Sequence, residues 1–155
     1  MNQTSTYMFC IIVPVYNEED NMERLANELS AYIGNASVKT CVLFVNDGSK
    51  DQSLQKIVEV CRQYTHLYYI DFTENCGLSA AIKAGIDTAE SSYVGYIDAD
   101  LQTSPNDFEL LLPWRDEYAL VTGIRTGRKD SLGKKISSRI ANSFRRMMTH
   151  DGIED

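Results

Sequence analysis

Two carboxylates one residue apart, with an amide oxygen two positions on, stand in Asp98-Ala99-Asp100-Leu101-Gln102. Hard oxygen donors at that spacing can converge on one divalent cation, which in turn can bridge a diphosphate. A plain charged turn is the alternative, but the segment directly follows the apolar run Tyr93-Val94-Gly95-Tyr96-Ile97. Three other polar segments also follow apolar runs. Val13-Pro14-Val15-Tyr16-Asn17-Glu18-Glu19 offers a ring and a carboxylate, Tyr16 and Glu18, after a proline that removes a ladder donor and so should end a strand or place it at an edge. The same letters also read as a capping signal with acidic first-turn residues. Val45-Asn46-Asp47-Gly48-Ser49-Lys50-Asp51 is a polar turn whose Asp47 can accept hydrogen bonds from a nucleotide's base or ribose, or an ordinary turn with Gly48 left-handed. Val121-Thr122-Gly123-Ile124-Arg125, followed by Thr126-Gly127-Arg128-Lys129-Asp130, supplies guanidinium groups that can clamp a diphosphate, or a solvated basic loop. Asn75-Cys76-Gly77-Leu78-Ser79 opens a helix and can present backbone N–H groups to a ligand.

The elements that must position these residues are legible as a period. Apolar runs rich in β-branched residues recur at 8–15, 40–45, 67–72, 93–97 and 118–122, with amphipathic helical stretches between them. After Asn17, a plausible N-cap, Met22, Leu25, Leu29 and Tyr32 or Ile33 repeat at helical steps. Ser49 and Gln52 read as a capping box for a helix carrying Leu54, Ile57, Val58 and Cys61. A third helix over 77–90 carries Leu78, Ala81, Ile82 and Ile86, and Ser104-Pro105 marks a fourth start. Strands alternating with helices predict an α/β domain with a mostly parallel, Rossmann-like sheet covered on both faces, whose ligands bind beyond the carboxyl ends of the strands. A last helix over 131–148 sets Leu132, Ile136, Ile140, Phe144 and Met147 or Met148 on one stripe beside Lys134, Lys135, Arg139, Arg145 and Arg146. Such a helix fits an anionic membrane surface, or a core-facing helix with a solvated basic face.

Composition bounds the function. The 155 residues are 43% hydrophobic and 24% charged, which suits one domain over 1–155 and is too short for an eightfold barrel of strand-helix units. No apolar run is long enough to span a bilayer, and the first ten residues lack the basic start and apolar middle of a signal peptide, which points to the cytosol. Cys10, Cys41, Cys61 and Cys76 form no C-x-x-C pair and are expected to be buried reduced thiols. The net charge of −7 conceals a division, with −11 over 1–124 and +4 over 125–155. Nucleic acid is a poor partner for so acidic a body, whereas the basic end suits phosphates or an anionic membrane. G-x-G-x-x-G and G-x-x-x-x-G-K-[ST] are absent, which removes hydride transfer and ATP hydrolysis on those scaffolds.

Taken in order, Val13-Pro14-Val15-Tyr16-Asn17-Glu18, Asn46-Asp47-Gly48-Ser49, Asn75-Cys76-Gly77, Asp98-Ala99-Asp100-Leu101-Gln102 and Gly123-Ile124-Arg125 resemble the family-2 glycosyltransferases, most closely those that load sugars onto polyprenyl phosphates. The resemblance covers nearly the whole chain. It implies a GT-A type nucleotide-diphospho-sugar transferase fold and an inverting transfer dependent on Mg2+ or Mn2+. Carried over by position, Pro14, Tyr16, Glu18, Asp47, Ala99 and Asp100 would contact the nucleotide of a UDP- or GDP-sugar. Asp98, Asp100 and Gln102 would surround the metal, and Arg125 would reach the donor phosphates, making Asp98, Asp100 and Arg125 the catalytic set. The stretch 125–130, with Ser138, Arg139 and Asn142, is similar to bacterial members acting on undecaprenyl phosphate. That acceptor implies work at the cytoplasmic face of a membrane. A polysaccharide or glycan acceptor, and a nucleotide-binding domain without turnover, are the other readings. Members often show two Asp where this chain has Asn46-Asp47, and basic residues near the segment where it has Glu74 and Leu78. Relatives usually continue further, so the chain is expected to be truncated on the acceptor side, with the full-length protein anchored in the membrane.

Overall fold

The computed structural model describes residues 7–123. The chain divides into two compact units, Met1–Glu117 and Tyr118–Asp155. In the first, strands and helices alternate as β1 (Phe9–Val15), α1 (Met22–Ile33), β2 (Thr40–Asn46), α2 (Ser53–Gln63), β3 (Leu67–Asp71), α3 (Leu78–Thr88) and β4 (Tyr93–Tyr96). A 3-10 turn at Pro105–Asp107 leads into the short α4 (Phe108–Leu111) and a second 3-10 turn, Leu112–Trp114.

The four strands form one sheet in the order β3-β2-β1-β4, and every pairing is parallel. Parallel neighbours need a crossover, and the amphipathic stretches supply it. Alternate residues of β1 then face opposite sides. Phe9, Ile11, Val13 and Val15 enter the larger core with Leu25, Leu29, Phe44, Ile57 and Phe108, while Cys10 and Ile12 join Cys41, Leu43, Val45 and Ala81 on the other face. Both faces are covered, which is why β1 and β2 read as unbroken apolar runs. Burial of a side chain such as Phe44 or Ile11 contributes about 1.5–3 kcal/mol. The crossover of α3 sits close: a Cβ on Gly85 would lie 2.5 Å from Ile12 Cγ2.

Several sequence expectations are corrected. Pro14 does not mark a sheet edge, because β1 is interior, paired with both β2 and β4. The proline is tolerated because of where its missing donor would point. Val15 C=O faces β2, accepting from Asp47 N–H, while Ile12 C=O faces β4, accepting from Ile97 N–H. Pro14, two residues after Ile12, therefore faces the β4 side, where the ladder has already ended. Asn17 caps no helix: α1 begins at Met22, and Asn17 is instead a non-glycine residue at φ +56°. The Ser49–Gln52 capping box does not form, since α2 starts at Ser53 and Ser49 Oγ accepts from Asn17 N–H. Residues 118–122 make no strand. Apolar composition alone does not make a strand, and Tyr118 and Leu120 are 58% and 80% exposed here. Cys76 is exposed rather than buried, and Cys61 is half-buried. By contrast, Ser104 caps its turn as expected, its side chain accepting from Asn106 N–H with Pro105 next in line. The helix expected over 131–148 lies outside the described residues.

Candidate functional site

The carboxyl ends of β1, β2 and β4 bring the sequence-predicted residues to one edge of the sheet. Val15 pairs with Asn46, so the segments starting at Tyr16 and Asp47 leave the sheet together. On the other side of β1, Tyr96 pairs with Ile12 and Asp98 follows two residues later. Pro14, Tyr16, Glu18, Asp47, Asp98, Ala99, Asp100 and Gln102 thus share this edge. Arg125 lies outside the described residues.

At the end of β4, Ala99 is buried in the larger core while the residues on either side, Asp98 and Asp100, are exposed. The methyl group anchors the turn and both carboxylates project outward. Leu101 follows at φ +60°, a left-handed conformation that costs a residue with a Cβ about 1–3 kcal/mol and that clusters at functional sites. It brings Gln102 N–H back to Asp100 Oδ1 at 3.0 Å. Tyr96 donates its hydroxyl to Asp98 Oδ1. Partial desolvation first, then that hydrogen bond and the negative charge of Asp98 and Asp100, hold the Tyr96 phenol above its ordinary pKa.

One oxygen of each carboxylate is therefore held by the protein, and the second makes no hydrogen bond among the described residues. Two aspartates and a glutamine amide are hard oxygen donors and fit Mg2+ or Mn2+. They do not fill an octahedral shell, and among the described residues no three His, Cys, Asp or Glu side chains group to hold a metal. The remaining positions would fall to ligand and water, as is usual for a cation that bridges phosphates.

Asp47 is placed differently from the turn residue the sequence suggested. It is 3% exposed, and its two oxygens accept from Cys76 N–H at 2.7 Å and Gly77 N–H at 2.9 Å. Two of the amides expected to greet a ligand at the start of α3, those of Cys76 and Gly77, are thus already bound by a carboxylate. Asn75 Nδ2 also donates to the Asp47 C=O at 3.3 Å. Gly48, left-handed as expected at φ +63°, is required by contact as well. A Cβ there would stand 2.3 Å from the backbone carbon of Glu74. Tyr16 presents an exposed ring, and Glu18 Oε2 accepts from Asn21 Nδ2 at 2.7 Å.

Sequence reasoning missed the bonds that join the β1–α1 loop to the β2–α2 loop. Glu18 N–H donates to Ser53 Oγ at 2.8 Å and Glu19 N–H to Asp51 Oδ2 at 3.1 Å. Nothing local in the sequence announces a bond between residues more than thirty positions apart; the density of Ser, Asp and Asn in both loops was the one available sign.

With this arrangement described, the chain can be placed. It belongs to glycosyl transferase family 2, whose model matches residues 10–153. It is 35% identical over 125 residues to an uncharacterized glycosyltransferase of Synechocystis sp., covering 80% of this chain and 39% of the relative. It is 29% identical over 147 residues to an undecaprenyl-phosphate 4-deoxy-4-formamido-L-arabinose transferase of Klebsiella pneumoniae, covering 94% of this chain and 45% of that protein. Among solved structures it is similar in fold to a mannosyltransferase of Pyrobaculum calidifontis, solved with GDP-Man and Mn2+, at a TM-score of 0.59 and 22% identity over 74% of this chain and 34% of that one. The fold is the GT-A type expected from the motifs. The chain spans less than half the length of these curated relatives.

Proposed function

We propose that this chain carries the donor site of a metal-dependent, inverting glycosyltransferase that moves a sugar from a UDP- or GDP-sugar to a polyprenyl phosphate at the cytoplasmic face of a membrane. One observation carries the reading: Asp98 and Asp100 stand exposed on either side of buried Ala99 at the end of β4, each with an oxygen free of protein partners among the described residues. The manganese complex of the Pyrobaculum neighbour and the undecaprenyl-phosphate acceptor named for the Klebsiella relative support it.

Transfer forms a bond from the acceptor oxygen to the sugar's anomeric carbon as the bond to the diphosphate breaks, leaving new negative charge on the nucleoside diphosphate. A bound Mg2+ or Mn2+ would stabilise that charge. Asp98, Asp100 and Gln102 would hold the ion, with Tyr96 and the Gln102 amide orienting the two carboxylates. Tyr16 offers a face for a base, and Glu18 a carboxylate for ribose hydroxyls. Asp47 shapes the floor through its hold on Cys76 and Gly77. Arg125 is assigned to the donor phosphates. A phosphate acceptor is already ionised near neutral pH, so it needs positioning and cationic guidance rather than a general base, and the basic residues of 125–146 suit that guidance.

Calorimetric titration of UDP and GDP, with and without Mn2+, tests the donor site. One nucleotide is expected to bind in a Mn2+-dependent manner, and Asp100→Ala to weaken it by about a hundredfold or more, since losing even a group that orients a metal ligand costs about 10–100-fold. Equal binding by the variant would remove Asp100 from the site. Transfer of radiolabelled sugar by the full-length protein into an organic-extractable lipid tests the acceptor, and label confined to aqueous glycan would reject it.

A further inference from the structure

Six hydrogen bonds among the described residues join the β1–α1 loop to the β2–α2 loop and to the start of α2, and they run in both directions. Three consecutive backbone amides of the first loop are taken by side chains of the second loop and of Ser53, the first residue of α2. Asn17 N–H donates to Ser49 Oγ at 3.0 Å, Glu18 N–H to Ser53 Oγ at 2.8 Å, and Glu19 N–H to Asp51 Oδ2 at 3.1 Å. In return, Lys50 N–H donates to Asn17 Oδ1 at 2.8 Å and Gln52 N–H to Glu19 Oε2 at 2.6 Å. Lys56 Nζ closes the set on the Glu19 C=O at 2.8 Å.

Three features show that the seam does more than tie two turns. Asn17, at a left-handed φ of +56°, has both its amide and its side chain bound across the seam, which fixes that conformation. Ser53 is fully buried, so its hydroxyl is fixed rather than solvated. Asp51 accepts from both sides, from Glu19 N–H and from Ser53 N–H at 3.0 Å, and so ties the first turn of α2 to the opposite loop. Burial works against its charge, but these hydrogen bonds outweigh burial and hold its carboxyl below the ordinary range. Tyr16 and Glu18, the residues assigned to the nucleotide, lie within or beside the three bound amides.

We propose that Ser49, Asp51 and Ser53, with Glu19 opposite them, are positioning residues of the donor site: they make the two loops one rigid body, so that Tyr16 and Glu18 are set before a nucleoside diphosphate arrives. The inference rests on the donor-site reading above. Preorganisation of this kind raises affinity by removing an ordering cost at binding.

Three variants of the chain test it. Asp51→Asn turns one carboxylate oxygen into an N–H donor, which must face either Glu19 N–H or Ser53 N–H. Glu19→Ala removes the acceptor of Gln52 N–H, whereas Glu19→Gln keeps a carbonyl oxygen for it. Backbone hydrogen exchange over 17–19 and 50–53 reads the seam, and calorimetry with UDP or GDP plus Mn2+ reads the site. Faster exchange is expected in Asp51→Asn and Glu19→Ala, together with about tenfold weaker nucleotide binding, as loss of one charge-assisted hydrogen bond gives. Glu19→Gln, which keeps the acceptor without its charge, is expected to lie closer to the parent chain than Glu19→Ala in both measurements. Should Asp51→Asn not fold, the Glu19 pair still decides. Loosened exchange with unchanged affinity, or weakening in Glu19→Gln equal to that in Glu19→Ala, would overturn the inference while leaving the donor site standing. A parent chain that binds neither nucleotide would overturn both.

Discussion

Asn46 shows how a neutral amide can serve where a second carboxylate would not. It is buried at the end of β2, donates from Nδ2 to Asp71 Oδ1 at 2.7 Å, and accepts from Ser49 N–H at 3.4 Å. An aspartate there would set a second carboxylate against Asp71 with no proton between them. Asn46→Asp is therefore expected to destabilise the fold by about 1–3 kcal/mol at neutral pH, the scale of a buried polar group losing its partner. The deficit should shrink as pH falls through the carboxylate range, because one shared proton restores the bond. Urea midpoints of both chains at pH 7 and pH 4 check this; a deficit equal at the two values would mean that charge is not its cause. Asp47 carries a different lesson. Its type and place after a strand were legible in the sequence, but its use was not, because the amides of Cys76 and Gly77 that it binds come from another crossover.

At the scale of elements, β1 and β2 were legible because burial on both faces leaves a composition signal, and β3 and β4, only partly buried, through their β-branched and aromatic residues and their place in the strand-helix period. Helix starts were less so, since Asn17 and Ser49 spend their polar groups on each other's loops rather than on caps. The four-residue α4 is far too short to persist alone, and its order comes from outside it. Phe108 packs edge-on against Phe9 at a centroid distance of 5.1 Å, and Glu109 accepts from Tyr32 OH at 2.9 Å and from Ser37 N–H at 3.3 Å. Burial pushes the Glu109 carboxyl upward, but the bonds from Ser37 and Tyr32 prevail and leave it below its ordinary value. A lowered carboxyl stabilises the fold fully above the unfolded pKa, about 4.3, and the contribution is lost as pH falls through the folded value. Glu109→Gln should thus lower the thermal midpoint by about 3 °C at pH 7. The difference from the parent should fade toward pH 3, and a gap that persists there would assign the effect to packing.

For the molecule as a whole, charge is unevenly spread: −11 over residues 1–124, with Glu18, Asp47, Glu74, Asp98 and Asp100 all near the carboxyl ends of the strands. Such a field draws in a divalent cation and repels a bare diphosphate. Raising salt from about 0.01 to about 0.1 M shortens the screening length from about 30 to about 10 Å, so Mn2+ affinity should fall severalfold over that range. A flat salt profile in calorimetry would confine the attraction to the contacting carboxylates. The strand order has a consequence in time as well as in space. Phe9 pairs with Thr40 and with Tyr93, so the central strand, made first, finds β2 early and waits longest for β4. Such distant pairings are slow to form, and a chain growing from its N-terminus keeps that edge of β1 open until residues 93–96 have emerged. Asp98 and Asp100 come just after them, so during synthesis the pair of carboxylates emerges only after all four described strands have been made.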